Sequence, residues 1–184
     1  IHSVHCAINW RLRRCETGLI AMESLLASRT ALVLIALASA LALALAFISQ
    51  YVFDLQPCLL CFYQRYPYVI TIALCLVTLM PAIQPYAAWA LILSGLFLLI
   101  NSGIAGYHVG VEQHWWIGTE GCTGPSGSPQ TLDALRAQIA ATPVIRCDDT
   151  VFSLFGISMA GYNVLFALAL AIYAALVGKS ALRV

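Results

Sequence analysis

The sequence predicts an all-α integral membrane protein: a four-transmembrane-helix bundle with two outward loops, each carrying a cysteine pair. Three observations carry this. Charged residues make up 9% of the chain and hydrophobic residues 61%, whereas soluble domains carry about 25% charge. Four stretches are long and apolar enough to cross a bilayer, which takes roughly 20 residues. Basic residues precede the first stretch and follow the last. A soluble domain of 184 residues cannot bury that much apolar surface. Disorder is excluded as well, since it needs low hydrophobicity and high net charge. The net charge of +1 leaves no basic surface for nucleic acid. The partner the composition requires is the lipid bilayer.

Residues 1–29 form a basic N-terminal segment with Arg11, Arg13, Arg14 and Arg29. Within it, 1–21 are mixed in character. Met22 is a candidate start, which would make 1–21 a start-site extension. The first span is ALVLIALASALALALAFIS, residues 31–49. It exceeds the about 7–15 apolar residues of a signal peptide core, and no cleavage site is expected after it. The second span is read at 66–82, the third at 86–106 and the fourth at 155–177, with PAIQP at 81–85 as a tight turn. Lys179 and Arg183 lie in the tail, 179–184. Basic flanks set orientation, so both termini are expected in the cytoplasm. Residues 50–65 and 107–154 are then the outward loops. Tyr51, Phe53, Tyr63, Tyr66 and Tyr68 gather at one outer boundary, and Tyr107, Trp115 and Trp116 at another, as expected at a membrane–water interface.

Seven cysteines remain to be placed. Cys6 and Cys15 fall on the reducing side and are set aside. Cys75, in the middle of the second span, reads as a small apolar core residue. The other four fall in the outward loops, where disulfides form and persist. Cys58-Leu59-Leu60-Cys61 is a C-x-x-C. So short a loop gives its disulfide little closure entropy, and such a bond tends to be reducible and catalytic. A nearby helix N-terminus favours a thiolate. Arg65 follows Cys61 by one helical turn. Two unit charges about 4 Å apart interact by roughly 4 kcal/mol at an effective dielectric near 20, and half of that lowers a thiol pKa by more than one unit. Pro67 leaves two geometries open: it kinks a helix that starts at Cys58, or opens one that starts near Tyr66.

Cys122 and Cys147 bracket the tip of the long loop, which Gly121, Gly124, Pro125, Gly127 and Pro129 make flexible. Between them Leu132, Leu135 and Ile139 line one face of a short helix, with Asp133 and Arg136 on its polar side. This helix lies on the membrane surface or packs on the bundle. Taken alone, the pair reads sooner as a structural brace than as a catalytic disulfide. The C-x-x-C also has a metal reading, as half of a zinc site completed by Cys122, Cys147 or His108.

The segments PCLLCFYQR, GYHVGVE, GC…IRCDD and SLFGISMAGYN, in that order, resemble the DsbB family of bacterial inner-membrane thiol:quinone oxidoreductases. The resemblance covers residues 30–178. It implies that Cys58 and Cys61 are the pair beside the quinone, with Cys61 meeting the ring. Arg65 would support quinone binding and the Cys61 thiolate. Cys122 and Cys147 would exchange with a periplasmic thioredoxin-fold oxidase of the DsbA kind, Cys122 forming the mixed disulfide. His108 and Glu112 resemble a stretch lining the quinone site; His108 either orients a quinone oxygen or is a satisfied interface histidine. The implied cofactor is ubiquinone or menaquinone from the membrane pool, with no metal. The implied place is the bacterial inner membrane, crossed several times, with both termini cytoplasmic. The implied function is to reoxidise the DsbA-like partner and pass its electrons to membrane quinone. Residues 1–21 have no counterpart in this pattern, and 107–121, with His114, Trp115 and Trp116, mark a subgroup. A thiol:quinone reductase of the VKOR kind places its pairs in the other chain order. A non-catalytic membrane protein braced by two loop disulfides is the alternative outside enzymes.

Overall fold

A computed structural model of the chain describes residues 2–123, 131–141 and 145–183. Its long helices are α1 (His2–Tyr51), α2 (Leu59–Thr78), α3 (Ala87–Glu112) and α6 (Met159–Ala181). Short helices α4 (Glu120–Thr123) and α5 (Leu132–Ala141) lie between α3 and a two-stranded hairpin, β1 (Ser153–Leu154) and β2 (Ile157–Ser158). Among the described residues, four stretches have the length and hydropathy of a membrane span: Ala27–Tyr51, Leu59–Thr78, Gln84–Glu112 and Met159–Ala181. Half of the third span is buried, against 33% of the first two and 22% of the last. The third helix is therefore the centre of the bundle. It packs most extensively on α6 and next on α2, while α1 leans on α2.

In lipid, no hydrophobic gradient pushes helices together, so close approach of backbones must do so. The α3–α6 seam shows this. Ala167, Ala171, Ala174 and Gly178 are buried along α6 at helical spacing. A Cβ on Gly95 of α3 would lie 3.1 Å from the Ala171 carbonyl, and one on Gly178 would lie 2.8 Å from Ile92 Cγ1. The apolar core continues through Leu32, Ile35, Leu91 and Leu98, all fully buried. Cys75 joins it, as expected of a small apolar residue, with its sulfur 3.7 Å from Ser94 Oγ.

The ends of the spans differ from the sequence reading, and each difference has a local cause. Helix α2 begins at Leu59 rather than 66, because Cys58 caps it: its sulfur accepts from the Cys61 backbone N–H at 3.4 Å. Of the two geometries open to Pro67, the helix takes the first and carries the proline inside, buried beside Tyr68. The first connecting segment shrinks from 50–65 to the residues between Tyr51 and Leu59. Helix α3 runs on to Glu112 rather than stopping at 106, because Ala105, His108 and Val111 continue its buried stripe. Helix α6 starts at Met159 rather than 155. Phe155 and Gly156 take positive φ of 51° and 78°, the two-residue turn that joins antiparallel strands. Ser153 then pairs with Ser158 and Leu154 with Ile157. This hairpin is the exception to the all-α expectation. Ser158 also caps α6, its Oγ accepting from the Gly161 N–H at 3.1 Å.

Two aromatic and amphipathic expectations are resolved here. After α3 the chain turns at His114, with φ of 57°, and folds Trp116 back onto the helix. The indole N–H donates to the Tyr107 carbonyl at 3.1 Å and the ring stacks on Tyr107. Gly110 makes room, since a Cβ there would sit 1.9 Å from the indole. On α5, Leu132, Leu135 and Ile139 are all exposed, so its apolar face does not pack on the bundle. Gly124, Pro125, Gly127 and Pro129, read as flexible, lie outside the described residues.

Gly95→Leu should force α3 and α6 apart and destabilise the bundle by about 1–3 kcal/mol. Gly103→Leu, where nothing lies within 4 Å of the added carbon, should change stability by less than about 0.5 kcal/mol. Unfolding of the two variants by SDS titration in mixed micelles checks this contrast.

Candidate thiol site

The site starts from the first turn of α2. Capping by Cys58 winds the C-x-x-C into the helix end, so that its two sulfurs lie 3.1 Å apart. Both cysteines are free thiols, Cys58 buried and Cys61 half-buried. Cys122 and Cys147 are joined by a disulfide and fully buried, with Cα atoms 5.0 Å apart. Cys58, Leu60, Val111, Cys122 and Cys147 form one cluster, with Cys61 packed against it. The two pairs therefore already meet, without the excursion of a long loop that the sequence suggested. Gly121 permits this, because a Cβ there would come within 2.8 Å of Leu59 in the first turn of α2. The Cys147 N–H then donates to the Cys122 carbonyl at 3.0 Å. Beside the disulfide, Arg146 Nε donates to Asp148 Oδ1 at 2.9 Å. That guanidinium holds the Asp148 carboxyl below its ordinary range.

His108, at the cysteine end of α3, is 4% exposed. Its Nε2 lies 3.5 Å from Cys58 Sγ and 3.8 Å from Glu112 Oε1. Its Nδ1 lies 3.0 Å from Gln64 Nε2. Gln64 Oε1 accepts from Asn163 Nδ2 at 2.6 Å, and Asn163 Oδ1 accepts from the Tyr68 hydroxyl at 2.6 Å. A single hydrogen-bonded chain thus links α6, α2 and α3 to the Cys58 sulfur. Glu112 is buried next to it, with Oε2 lacking a hydrogen-bond partner among the described residues.

Arg65 is placed differently from the expectation that it faces the Cys61 sulfur. Its guanidinium donates to Gln50 Oε1 on α1 at 2.8 Å. It also lies 4.9 Å from the Phe47 ring centre and 5.0 Å from that of Phe62. Cation–π contact with two rings holds it at the α1–α2 junction. Arg65 nonetheless lines the same cavity as Cys58, Cys61, His108 and Glu112. This cavity measures about 490 Å³ and is walled elsewhere by apolar side chains such as Leu41, Leu45, Leu55, Phe152 and Phe166.

Gln64 and Asn163 are the residues the sequence reading passed over. Both stand inside the motifs PCLLCFYQR and SLFGISMAGYN, yet neither drew a role. The available signal was their polarity within membrane spans, where such side chains are costly and mark function. The metal reading also finds its geometry: donor atoms of Cys58, Cys61 and His108 all lie within 4.8 Å of one another.

Four spans with two cysteine pairs packed together over a buried histidine define a membrane thiol–disulfide protein. The chain belongs to the DsbB family: the family model for Disulfide bond formation protein DsbB matches residues 28–177. It is 32% identical over 141 residues to an uncharacterized protein of Rickettsia prowazekii (strain Madrid E), covering 76% of this chain and 81% of that one. It is 38% identical over 87 residues to the Disulfide bond formation protein B of Herminiimonas arsenicoxydans, covering 47% of this chain and 54% of that one. No solved structure matches the chain.

Asn163→Leu should cost about 1–3 kcal/mol, because it strands the Gln64 carbonyl and the Tyr68 hydroxyl. Tyr68→Phe removes one interhelical bond and should cost roughly 0.6 kcal/mol. SDS unfolding of both variants measures the difference; equal costs would mean that the chain of bonds does not couple the helices.

Proposed function

We propose that this chain is a thiol:quinone oxidoreductase of the bacterial inner membrane, with both termini in the cytoplasm. It reoxidises a periplasmic DsbA-like oxidase and sends the electrons to membrane quinone. The observation that carries this reading is the packing of both cysteine pairs in one cluster, of which Cys58 and Cys61 line a largely apolar cavity of about 490 Å³. A cavity of this size suits a small amphipathic molecule. Its apolar walls and few polar groups fit a quinone head with part of its tail. Cys61, Arg65 and Glu112 are the groups that would hold the head, with His108 behind Cys58 in the same lining.

The chain's own steps are thiol–disulfide exchanges. A partner thiolate attacks Cys122 Sγ, the Cys122–Cys147 bond breaks and Cys147 leaves as a thiolate. The partner's second thiol resolves the mixed disulfide, so the partner departs oxidised and Cys122 and Cys147 are a dithiol. Both sulfurs are fully buried, so the partner's attack requires the segment that carries them to lift. The new dithiol then attacks the Cys58–Cys61 disulfide through a second mixed disulfide. Packing of all four cysteines in one cluster makes this an exchange between neighbours. The Cys58–Cys61 dithiol closes again with loss of two electrons and two protons. Quinone, when bound, supplies the acceptor for both. Arg65 contributes fixed positive charge at the cavity wall, and His108 a proton donor beside Cys58.

Purified protein in detergent, given reduced thioredoxin-fold oxidase and ubiquinone, should consume the quinone. Ser at Cys58, Cys61, Cys122 or Cys147 should reduce turnover to background while the protein stays folded. Arg65→Ala should raise KM for quinone about tenfold, the equivalent of roughly 1.4 kcal/mol. If wild type and Cys61→Ser are alike inactive and both pairs, once oxidised, resist mild reductant, the cysteines are structural braces instead.

A further inference from the structure

We propose that Gln64 is a positioning residue that locks His108 with its proton on Nε2, aimed at Cys58, and so keeps the reduced C-x-x-C a hydrogen-bonded thiolate pair closed to thiophilic metal ions. The proposal rests on reading Cys58 and Cys61 as a redox pair, and the experiment below separates the two.

Hydrogen-bond polarity fixes the proton's place. A carbonyl oxygen can only accept. Gln64 Nε2 lies 3.1 Å from the Leu60 carbonyl, so the amide nitrogen belongs on that side. The other end agrees, since Gln64 Oε1 accepts from Asn163, whose own oxygen accepts from Tyr68. The same Gln64 nitrogen is 3.0 Å from His108 Nδ1. An NH₂ group has only protons to offer, so Nδ1 accepts. A neutral imidazole has one proton, which must then sit on Nε2. That N–H faces Cys58 Sγ at 3.5 Å.

Cys58 Sγ thus faces two N–H donors, His108 Nε2–H at 3.5 Å and the Cys61 backbone N–H at 3.4 Å, with the Cys61 sulfur 3.1 Å away. Hydrogen bonds to the charged form favour it. The Cys61 thiol contributes most, burial works against it and His108 adds its share, leaving the Cys58 thiol well below its ordinary range. The other charged groups in reach are Glu112 on α3, Arg65 on α2, and Arg146 and Asp149 on either side of Cys147, all lining the same cavity.

By distance alone this is also a metal site. Two thiols and an imidazole converge, and the unpartnered Glu112 oxygen stands beside them. Zinc bound at Nε2 needs the lone pair there, with the proton moved to Nδ1 and donated to an acceptor. Gln64 presents a donor at that point. Turning its amide over would break the bonds to Leu60 and Asn163 together. The relay therefore refuses zinc at a dithiol that would otherwise trap it.

The test uses the detergent-solubilised protein, reduced with a non-thiol reductant and free of quinone and partner. Wild type should bind no zinc at micromolar concentration and show no cobalt–thiolate charge-transfer absorbance. Gln64→Glu places a carboxylate acceptor against Nδ1. It should bind one zinc per chain at least tenfold more tightly, within the roughly 10–100-fold that such partners are worth, and lose it again with His108→Ala. Gln64→Leu should move the Cys58 thiolate titration upward by about one unit, a tenfold loss of thiolate at fixed pH. Stoichiometric zinc binding by the wild type, or an unmoved titration in folded Gln64→Leu, overturns the proposal even if quinone turnover is intact. If the zinc and titration results hold while turnover is absent, the relay stands and the oxidoreductase reading falls.

Discussion

The contact between Gln64 and His108 is the interaction on which the rest of the site depends. It joins α2 to α3 across 44 residues of sequence at 3.0 Å. In a bilayer, water is not there to satisfy a stray amide or imidazole. Each of these groups must find its partner in protein, and the chain from Tyr68 through Asn163 and Gln64 to His108 does so. The same bonds that hold three helices together fix which imidazole nitrogen faces Cys58. Stability and chemistry are therefore properties of one network here, and a change to either end is felt at the sulfur.

That network needs close-packed helices around it. The seam of Gly95, Ala171, Ala174 and Gly178 brings α3 and α6 together, which sets Asn163 at the right height for Gln64. Helix α1 contributes differently. It joins the buried core through Ala31, Leu32 and Ile35 at one end, and meets α2 through the Arg65–Gln50 bond at the other. Between these, its Leu41 and Leu45 line one wall of the cavity. The cavity is thus what remains where α1 stands off from the network, and its polarity follows. The wall from α1 is mostly apolar, and the end formed by α2 and α3 carries the cysteines, His108 and Glu112.

Much of this was legible in the sequence, for identifiable reasons. Span number follows from hydropathy, a property summed over about 20 residues that local detail does not disturb. The cysteine pairs were legible from their spacing and from their place near the ends of the spans. Span ends were not, because single side chains decide them. Cys58 as a cap starts α2 seven residues before 66, and Phe155-Gly156 at positive φ delays α6 to Met159. The partner of Arg65 was misjudged because one-turn spacing places it near Cys61, whereas Gln50 and Phe47 come from another helix. Asn163 and Gln64 are 99 residues apart, and no local pattern reports a contact at that separation. Residues of this kind can be singled out in advance only by the cost of a polar side chain in lipid.

A dithiol that exchanges on one side and gives up electrons on the other needs its two sulfurs to be unlike. The sequence suggested that Arg65 makes the difference by favouring a Cys61 thiolate. The geometry instead gathers N–H donors on Cys58, from the Cys61 backbone and the His108 imidazole. The Cys61 sulfur lies 3.1 Å from it. In the proposed cycle the charge of the reduced pair then rests on the buried Cys58, beside the cluster that holds Cys122 and Cys147. The half-buried Cys61 faces the cavity with Arg65 and Glu112. Glu112, whose Oε2 has no hydrogen-bond partner among the described residues, lines the same cavity and is suited to take a proton as the disulfide closes. The division of labour between the sulfurs thus comes from hydrogen-bond direction along α2 and α3 rather than from a single cation.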